Sequence, residues 1–507
     1  MRVERLLVTV VIATALLAVP ARAEATADPA AADEAFDAGD NAKALALYDE
    51  ILAANPRDIN ALLRSGKLLS WDRKYDEALA RYDKALTQEP RNERVLLERG
   101  KVFLWSRRYD EAIASFDLVL KQNPKEPWAL CGTAQAYAWR GQNAKARPFY
   151  ERALAADPEL KEAQLGLAYV DLEEGDTSSA LDRSTSLKAK YPDDAEVAGL
   201  DRAVRHARAP WAQLDYDHMN DSDGNEMSTY GAEGGFALPA RMDLRFGYAY
   251  SDLNGPVAGV DADASADALY GVLGWRPKAG QRGELRLGAM RLTDSAGNDR
   301  TTAIGGLAYT FPMARWTGRA AAGFDPFLYS PEILDNEIDV TSVTFAASGL
   351  VARRVQVETD AGYGHFSDGN TRWNAGAGVW YAWKWPKRTL TLGGALRYLT
   401  FSEDLNDGYF DPSNLIAAVS SLRSNGAIGS SKWEYEAAVE AGAQSYTFNE
   451  DKATGKPLWN LYGMVARPLP HGVSFQIYSA YGNSSTASGP GFDSITAGAR
   501  LRFTIGG

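Results

Sequence analysis

The spacing of hydrophobic and polar positions changes near residue 210. Before this point apolar and small residues recur as they do on amphipathic helices, and after it apolar and polar residues alternate. A helix brings every third or fourth side chain to one face, whereas a strand sends successive side chains to opposite faces. The pattern therefore predicts an α-helical N-terminal part followed by a β-sheet part.

The helical part repeats with a period of 34 residues. Three kinds of position keep this step: Pro56, Pro90, Pro124, Pro158 and Pro192; Ala44, Ala78, Ala112, Ala146 and Ala180; and Tyr48, Tyr82, Phe116 and Tyr150, with Ser184 at the fifth aromatic position. This combination is the signature of tetratricopeptide repeats, in which helix pairs stack around a shared core. We expect five repeats across about residues 25–205, within a solenoid domain of residues 24–205.

Small residues and prolines have predictable places in such repeats. Gly66 and Gly100 fall where two helix backbones approach closely, and the prolines are expected to end the second helix of each pair. Trp71, Trp105 and Trp139 also recur every 34 residues, near the end of the first helix. Their indole rings could line a groove and stack on sugars, or they could pack between repeats; solenoid grooves are commonly binding surfaces.

The β part contains sixteen alternating segments between Trp211 and Phe503. In DSITAGARLRF, residues 493–503, one face carries Ile495, Ala497, Ala499, Leu501 and Phe503, and the other carries Ser494, Thr496, Gly498, Arg500 and Arg502. A soluble β-sandwich or propeller would also show such alternation. The connections between the segments distinguish such soluble folds from a membrane barrel.

Two kinds of connection alternate along the β part. Short ones often carry proline or basic residues: LPAR (238–241), FPMAR (311–315), ARR (352–354), WPKR (385–388) and RPLPHG (467–472). Long ones are rich in Asp, Asn, Gly and Ser: NDSDGN, DLNGPVAGVDADAS, DPFLYSPEILDN, SEDLNDG, FNEDKATGK and NSSTASGPG. This alternation predicts an antiparallel transmembrane β-barrel over residues 211–507, with short periplasmic turns and long outer loops. An even number of strands leaves both ends of the barrel, and the repeats, in the periplasm.

A closed barrel in lipid has an apolar outer face and a polar lumen. Tryptophans at strand ends are expected to form interfacial girdles: Trp211, Trp275, Trp316, Trp380, Trp383 and Trp385. The residues expected to line the lumen carry charges of both signs: Arg245, Glu284, Arg286, Glu434, Glu436, Arg500 and Arg502. A mixed lining can hydrogen-bond a hydrated polymer, although generic porin polarity would give a similar pattern.

Composition and the N-terminus narrow the functional classes. Residues 1–23 have a basic start, an apolar run and an Ala21-Arg22-Ala23 cleavage site, which predicts a signal peptide rather than a membrane anchor. The net charge of −12 argues against nucleic-acid binding. The single cysteine, Cys131, cannot form an internal disulfide. The sequence shows no phosphate-binding loop and no cluster of metal ligands, so we expect neither a cofactor nor a metal.

Two short motifs in the β part indicate a resemblance to a known family. GYFDPSNL, residues 408–415, follows an acidic loop and begins a strand, and it would hold Tyr409 and Phe410 near the pore exit. HFSDGNTRW, residues 365–373, lies at an earlier loop. Together with preceding tetratricopeptide repeats, these motifs resemble bacterial exopolysaccharide export porins, the family of cellulose synthase operon protein C and the poly-N-acetylglucosamine porin. The alternative is a resemblance to a small outer-membrane barrel family with a short repeat domain and Trp-containing repeats.

The resemblance implies a non-enzymatic polymer exit channel in the bacterial outer membrane. A growing glycan would pass through the barrel, and the periplasmic repeats would guide it or dock synthase or modifying enzymes. Trp71, Trp105, Trp139, Tyr409 and Phe410 are then the candidate glycan-binding residues.

Two other classes of function remain open. His365 and Ser367 resemble the His-x-Ser pair of outer-membrane lipid A deacylases, in which a histidine activates a serine. Alternatively, the chain is an assembly or adhesion scaffold that uses the repeats as a docking site and a closed barrel as its anchor.

Overall fold

The computed structural model describes residues 28–239, 241–278, 280–352, 354–403, 405, 409, 411–448, 451–483 and 493–505. The expected signal peptide, residues 1–23, and two residues of the GYFDPSNL motif, Gly408 and Phe410, lie outside this part of the chain. The protein divides into two compact units, the first ending at Gly166 and the second beginning at Leu167.

Five helix pairs and one further helix precede the strands in the described residues. They are α1 (Pro29–Asp37), α2 (Asn41–Ala54), α3 (Ile59–Trp71), α4 (Tyr75–Leu86), α5 (Glu93–Trp105), α6 (Tyr109–Gln122), α7 (Pro127–Trp139), α8 (Asn143–Ala156), α9 (Lys161–Glu173), α10 (Thr177–Lys190) and α11 (Ala195–Arg208). The prediction of N-terminal tetratricopeptide repeats is confirmed. None of the described helices combines the length and the apolar character needed to cross a membrane.

Local sequence sets the ends of these helices. Asp58 and Asn92 cap α3 and α5, where their side chains accept hydrogen bonds from the amides of Ala61 (2.9 Å) and Val95 (3.1 Å). Each of the five repeated prolines follows the end of a second helix, as Pro56 follows α2. Caps and prolines together therefore mark where one repeat gives way to the next.

The repeated positions form the solenoid core. All five repeated alanines are fully buried, and the aromatic side chains at Tyr48, Tyr82, Phe116 and Tyr150 are almost completely buried. A Cβ atom on Gly66 would lie 2.6 Å from the Tyr82 ring, and one on Gly100 would lie 2.4 Å from the Phe116 ring. The 34-residue pattern thus reflects ring-on-backbone packing that only glycine permits at these two positions.

In the described part of the chain after residue 210, sixteen antiparallel strands close into a barrel. They are β1 (Trp211–Asp221), β2 (Glu226–Leu238), β3 (Met242–Val257), β4 (Val260–Trp275), β5 (Arg282–Thr293), β6 (Asp299–Met313), β7 (Trp316–Pro326), β8 (Asp339–Ala352), β9 (Val355–Phe366), β10 (Thr371–Trp385), β11 (Arg388–Phe401), β12 (Asn414–Ala427), β13 (Glu434–Phe448), β14 (Asp451–Pro468), β15 (Val473–Gly482) and β16 (Ser494–Thr504). Neighbours in sequence pair with each other, and β1 pairs with β16 to close the ring. The predicted number of strands is confirmed.

Strand alternation gives the barrel an apolar outer face. Phe246 and Leu287 are 55% and 61% exposed, and they alternate with the charged residues Arg245 and Arg286. In water such a surface would be unfavourable, whereas a closed sheet with an apolar exterior suits lipid. The barrel is therefore of the outer-membrane type.

Not every expected loop is a loop. The segment DLNGPVAGVDADAS continues β3 and β4 as a hairpin whose two-residue turn is Ala258-Gly259. Both turn residues have positive φ, 49° and 80°, which matches the twist of a tight hairpin. Polar composition made this stretch look like an irregular loop, but the strands extend through it.

Within the second unit, a turn between helices contacts the turn side of the barrel. The Arg241 guanidinium, between β2 and β3, lies 2.6 Å from the nearly buried Asp176 carboxylate, which precedes α10. The side chain of Arg276, after β4, lies over the backbone of Gly175. These contacts fix the start of α10 against two neighbouring turns.

Candidate functional site

The inner wall of the barrel holds paired charges on its turn side. Arg245 on β3 reaches across β4 to Glu284 on β5, with an N–O distance of 2.7 Å. Arg282 and Arg319 approach the same carboxylate at 3.0 and 3.8 Å. These guanidinium groups and the desolvated carboxylate form one network, in which positive charge predominates around Glu284.

A second set of ion pairs lies outside the Glu284 network. Arg286 on β5 lies 2.5 Å from Asp325 on β7. Two other pairs join neighbouring strands, Arg500 to Asp215 at 2.6 Å and Arg423 to Glu436 at 3.6 Å. Arg397 on β11 reaches across β12 to Glu440 on β13, at 3.7 Å. The lumen therefore presents alternating donors and acceptors.

Two more predicted lining residues occupy the same face. Arg502 shares the face of Arg500 on β16, and its guanidinium lies 4.2 Å from the centre of the Trp211 ring. Glu434 begins β13 and shares the face of Glu436. The Trp211 ring therefore belongs to the inner wall, and strand parity also turns Trp380 inward, next to the backbone of Gly393. We correct the girdle assignment of these two tryptophans accordingly.

At the other end of the barrel, the connection between β7 and β8 folds into the lumen. We call residues 327–338 the β7–β8 segment; it contains the short helix α12 (Pro331–Asp335). Ser330 caps this helix by accepting a hydrogen bond from the amide of Ile333 at 3.4 Å. The segment is apolar where the other outer connections are polar.

One side of the segment packs on the wall formed by β3 to β6. Leu334 is buried in a cluster with inward-facing residues of these strands: Leu253, Ala264, Ala266, Ala268, Met290, Leu292 and Ile304. The other side packs towards β9 and β11, where Ile333 and Ile338 join Phe366, Phe401 and Tyr409. Side chains of one short segment thus fill the space between two regions of the inner wall.

Hydrogen bonds tie the segment to the rest of the barrel. The Tyr329 hydroxyl donates to Asp221 at the end of β1. Asp335 accepts from the amide and hydroxyl of Ser295 at 2.8 and 2.5 Å. These bonds, made by side chains at separate points of the segment, hold it in the lumen.

The two sequence motifs meet beside this segment. The Tyr409 hydroxyl donates to Asp368 at 2.7 Å, and the Asn370 amide donates to Asp411 at 3.1 Å. Tyr409 is only 9% exposed, and its ring stacks on Phe366 with centroids 5.2 Å apart. Burial and the hydrogen bond to Asp368 raise the pKa of Tyr409 above its ordinary range. In this arrangement Tyr409 is part of a core and offers little surface to a sugar.

The three candidate tryptophans of the repeats are accessible. Trp71, Trp105 and Trp139 are the last residues of α3, α5 and α7, and they are 48%, 42% and 51% exposed. Trp71 stacks on Phe36 at 5.7 Å, and Trp139 meets Tyr109 edge to face at 6.4 Å. Each indole keeps open surface that could contact a ligand.

The Ser367 hydroxyl is occupied by backbone groups. It accepts from the Asp339 amide at 2.9 Å and donates to the Glu337 carbonyl at 3.1 Å. These bonds fasten the base of the β7–β8 segment, which gives Ser367 a structural role. Among the described residues, no group of three or more His, Cys, Asp or Glu side chains could hold a metal ion.

Sequence reasoning missed the β7–β8 segment. The available signal was the set of four large apolar residues, Phe327, Leu328, Ile333 and Leu334, within DPFLYSPEILDN, a connection classed as polar. Exposed loops rarely carry so many large apolar side chains, so their presence indicates burial.

Comparisons with known proteins support the repeat assignment. A tetratricopeptide repeat family model matches residues 72–136 and 139–203. No curated protein matches the chain. The repeats and the closed barrel of sixteen strands together define the architecture.

Several solved structures are similar to parts of the chain. A bacterial polysaccharide outer membrane secretin aligns with 11% identity and a TM-score of 0.47, covering 59% of this chain and 99% of that protein. A thermophilic tetratricopeptide repeat protein of Thermus thermophilus has 19% identity and a TM-score of 0.31, covering 34% of this chain and 94% of its own. A tetratricopeptide repeat protein of Parabacteroides merdae has 19% identity and a TM-score of 0.31, covering 35% and 70%.

Proposed function

We propose that this chain of tetratricopeptide repeats and a closed sixteen-strand barrel exports an exopolysaccharide across the bacterial outer membrane. The barrel provides the passage, and the repeats lie in the periplasm. There they guide the glycan or dock the enzymes that make or modify it.

The observation that carries this proposal is the lining of the barrel. Guanidinium and carboxylate groups project from the inner wall as neighbouring pairs, such as Arg245 with Glu284 and Arg500 with Asp215. A hydrated sugar chain presents hydroxyl groups that donate and accept hydrogen bonds, so it can exchange partners along such a wall. Pairing of opposite charges also keeps the wall from binding one ionic ligand too tightly.

The repeats add a second element. Trp71, Trp105 and Trp139 expose indole surface at equivalent places in three successive repeats. The C–H faces of sugar rings pack favourably on such aromatic surfaces, and a polymer with repeating units can contact several of them. This arrangement favours a glycan-guiding role over simple packing between repeats.

Surface glycan on a strain that lacks the gene tests the proposal. The strain is compared with strains restored by the full chain or by a chain without residues 28–208, using dye or lectin binding. Slower migration of the heated barrel in detergent gels verifies that the shortened chain folds. Loss of glycan that only the full chain restores is expected. Unchanged surface glycan in the deletion strain would contradict export.

A scaffold with a closed barrel is the second candidate function, and the β7–β8 segment in the lumen favours it. In that case the barrel is an anchor, and the repeats bind a protein partner. The deletion strain would then keep its glycan but lose an assembled surface structure, and crosslinking from the repeats would capture a defined protein.

A further inference from the structure

The β7–β8 segment bridges the mouth of the barrel instead of following its wall. Tyr329 of the segment bonds to Asp221 at the end of β1, and β1 lies six strands from β7 in the ring of sixteen. Leu334 meets the wall of β3 to β6, and Ile333 meets the side of β9 and β11. Contacts with three separate parts of the ring place the segment across the passage.

We propose that the β7–β8 segment is a displaceable gate that closes the loop end of the barrel at rest and moves aside when polymer leaves. This inference deepens the proposed export function and rests on it, because a gate has meaning only if the barrel conducts. The same structure explains how a wide barrel could remain in the membrane without leaking solutes.

The base of the gate is fixed. Pro326 and Asp339 face each other as the last pair of β7 and β8, and the Phe327 amide donates to the Ile338 carbonyl at 2.8 Å. Arg300 on β6 adds an ion pair to Asp339 at 2.8 Å. The segment can therefore move as a unit while the strands that carry it stay paired.

The rest of the gate is held by contacts that can be exchanged. Tyr329 and Asp335 make side-chain hydrogen bonds to Asp221 and Ser295, and Ile333 and Leu334 make apolar contacts. A polymer hydroxyl can replace a hydrogen-bond partner, and loss of one such bond shifts a two-state equilibrium by about tenfold. The closed state is thus stable in the absence of polymer, and a polymer can displace the segment by replacing these contacts.

Channel recordings of the purified full chain in planar lipid bilayers test this proposal. Tyr329→Phe removes the donor to Asp221, and we expect the ratio of open to closed time to rise about tenfold. Tyr309→Phe is the matched control, because the Tyr309 hydroxyl donates to Gln281 at 3.0 Å on the turn side, away from the gate. Equal openings of wild type and both variants would count against a gate held by Tyr329.

A reversible crosslink gives an independent test. The Ser295 hydroxyl and an Asp335 carboxylate oxygen are 2.5 Å apart, so the pair Ser295→Cys and Asp335→Cys places two sulfurs within reach of a disulfide. The native Cys131 is buried and stays out of the reaction. Oxidation is expected to abolish openings, and a reductant is expected to restore them. Each single cysteine variant, treated identically, is the control.

The results of these experiments distinguish failure of the gate proposal from failure of the export proposal. Openings that persist unchanged in the oxidised double variant, as verified by its gel mobility, would overturn the gate. Unchanged surface glycan in the gene-deletion strain would instead overturn export, whatever the channel recordings show. Glycan export that stops on oxidation and resumes on reduction would support both.

Discussion

The hydroxyl of Tyr409 donates a hydrogen bond to the carboxylate of Asp368 at 2.7 Å, and this bond joins the two motifs that the sequence singled out. Asp368 belongs to HFSDGNTRW, after β9, and Tyr409 belongs to GYFDPSNL, before β12. Two connections separated by a hairpin are therefore locked together. Together, the two connections form an aromatic surface that packs against the β7–β8 segment.

Asn370 is the centre of this lock, and its loss should destabilise the barrel. Its buried side chain donates to Asp411 and accepts from the Ser402 hydroxyl and the Glu403 amide, at 3.1, 3.0 and 3.1 Å. Asn370→Ala removes these buried hydrogen bonds, at a cost of about 1–3 kcal/mol in the free energy of unfolding. The temperature at which the barrel loses its folded migration in detergent gels is expected to fall.

Asn374→Ala is the matched control for that experiment. Asn374 lies on β10, which begins directly after Asn370, and its amide makes only a long 3.4 Å contact with Asp360. We expect little change in the gel transition of this variant. An equal fall for both variants would mean that Asn370 contributes no more to stability than the half-buried Asn374 amide does.

The solenoid glycines provide a prediction about the repeats. Gly66→Ala and Gly100→Ala would push a methyl group to within 2.6 and 2.4 Å of buried rings. Overpacking of this kind costs about 1–3 kcal/mol, although alanine favours a helix more than glycine does. Thermal loss of the helical circular dichroism signal should occur at lower temperature in both variants.

Gly199→Ala is the contrasting change in α11. Its added Cβ would lie 3.7 Å from the Tyr169 hydroxyl, which is an ordinary contact. Only the higher helix propensity of alanine then matters, and we expect the free energy of unfolding to rise by up to about 1 kcal/mol. Destabilisation of the same size at Gly199 would remove packing as the explanation for the repeated glycines.

Periodic features made much of this fold predictable. Ala112 and Phe116 stand at positions that recur every 34 residues, so their burial followed from the spacing. Strand alternation likewise separated Arg500 from Leu501 and predicted Arg245 on the lumen face. Local periodicity carries this information because each element buries one face.

The gate and the motif lock could not be predicted in the same way. Ile333 and Phe366 meet only because the barrel closes, and their separation in sequence has no period. The burial of Tyr409 had the same origin: the sequence predicted this residue near the pore exit but did not predict that its ring stacks on Phe366. Contacts between non-repeating connections depend on the closed sheet, and a linear pattern does not contain them.

Cys131 supplies a pH-dependent prediction. Burial raises the pKa of its thiol to about 12, above the ordinary value of 9.0. The folded state therefore disfavours the thiolate, and the stability due to the neutral thiol is complete below about pH 9 and is lost as pH rises towards 12. Between pH 8 and pH 10 the helical part of wild type should lose about 1.4 kcal/mol more than Cys131→Ala does.

Comparison with Cys131→Ala is essential, because tyrosines and lysines also titrate in this range. Urea unfolding of both proteins at pH 8 and pH 10, followed by the helical circular dichroism signal, isolates the thiol. Parallel losses of stability in the two proteins would show that the Cys131 thiol is not shielded from solvent in the folded state.

The exposed tryptophans predict stepwise loss of glycan affinity. Replacing Trp71, Trp105 and Trp139 by alanine, singly and together, should weaken binding of the exported polymer by about 0.5–1.5 kcal/mol per ring. Titration calorimetry with the purified full chain measures the change. Leu118→Ala is the control, because Leu118 has similar exposure, 43%, and lies outside the repeated position. Equal affinity of the triple variant and wild type would rule out this surface as the glycan guide.

The arginines around Glu284 predict the ion selectivity of the open barrel. Arg245→Gln and Arg319→Gln remove positive charge 2.7 and 3.8 Å from this carboxylate, while they keep a hydrogen-bonding side chain. The local potential becomes more negative, and cations are then favoured over anions. Under a salt gradient, the reversal potential of the channel should shift towards the cation limit, and the shift should shrink as salt screens the wall. Arg291→Gln is the control, because Arg291 pairs with Asp299 at the loop end, at 2.6 Å, and is exposed. An equal shift from this variant would show that the turn-side network does not set selectivity.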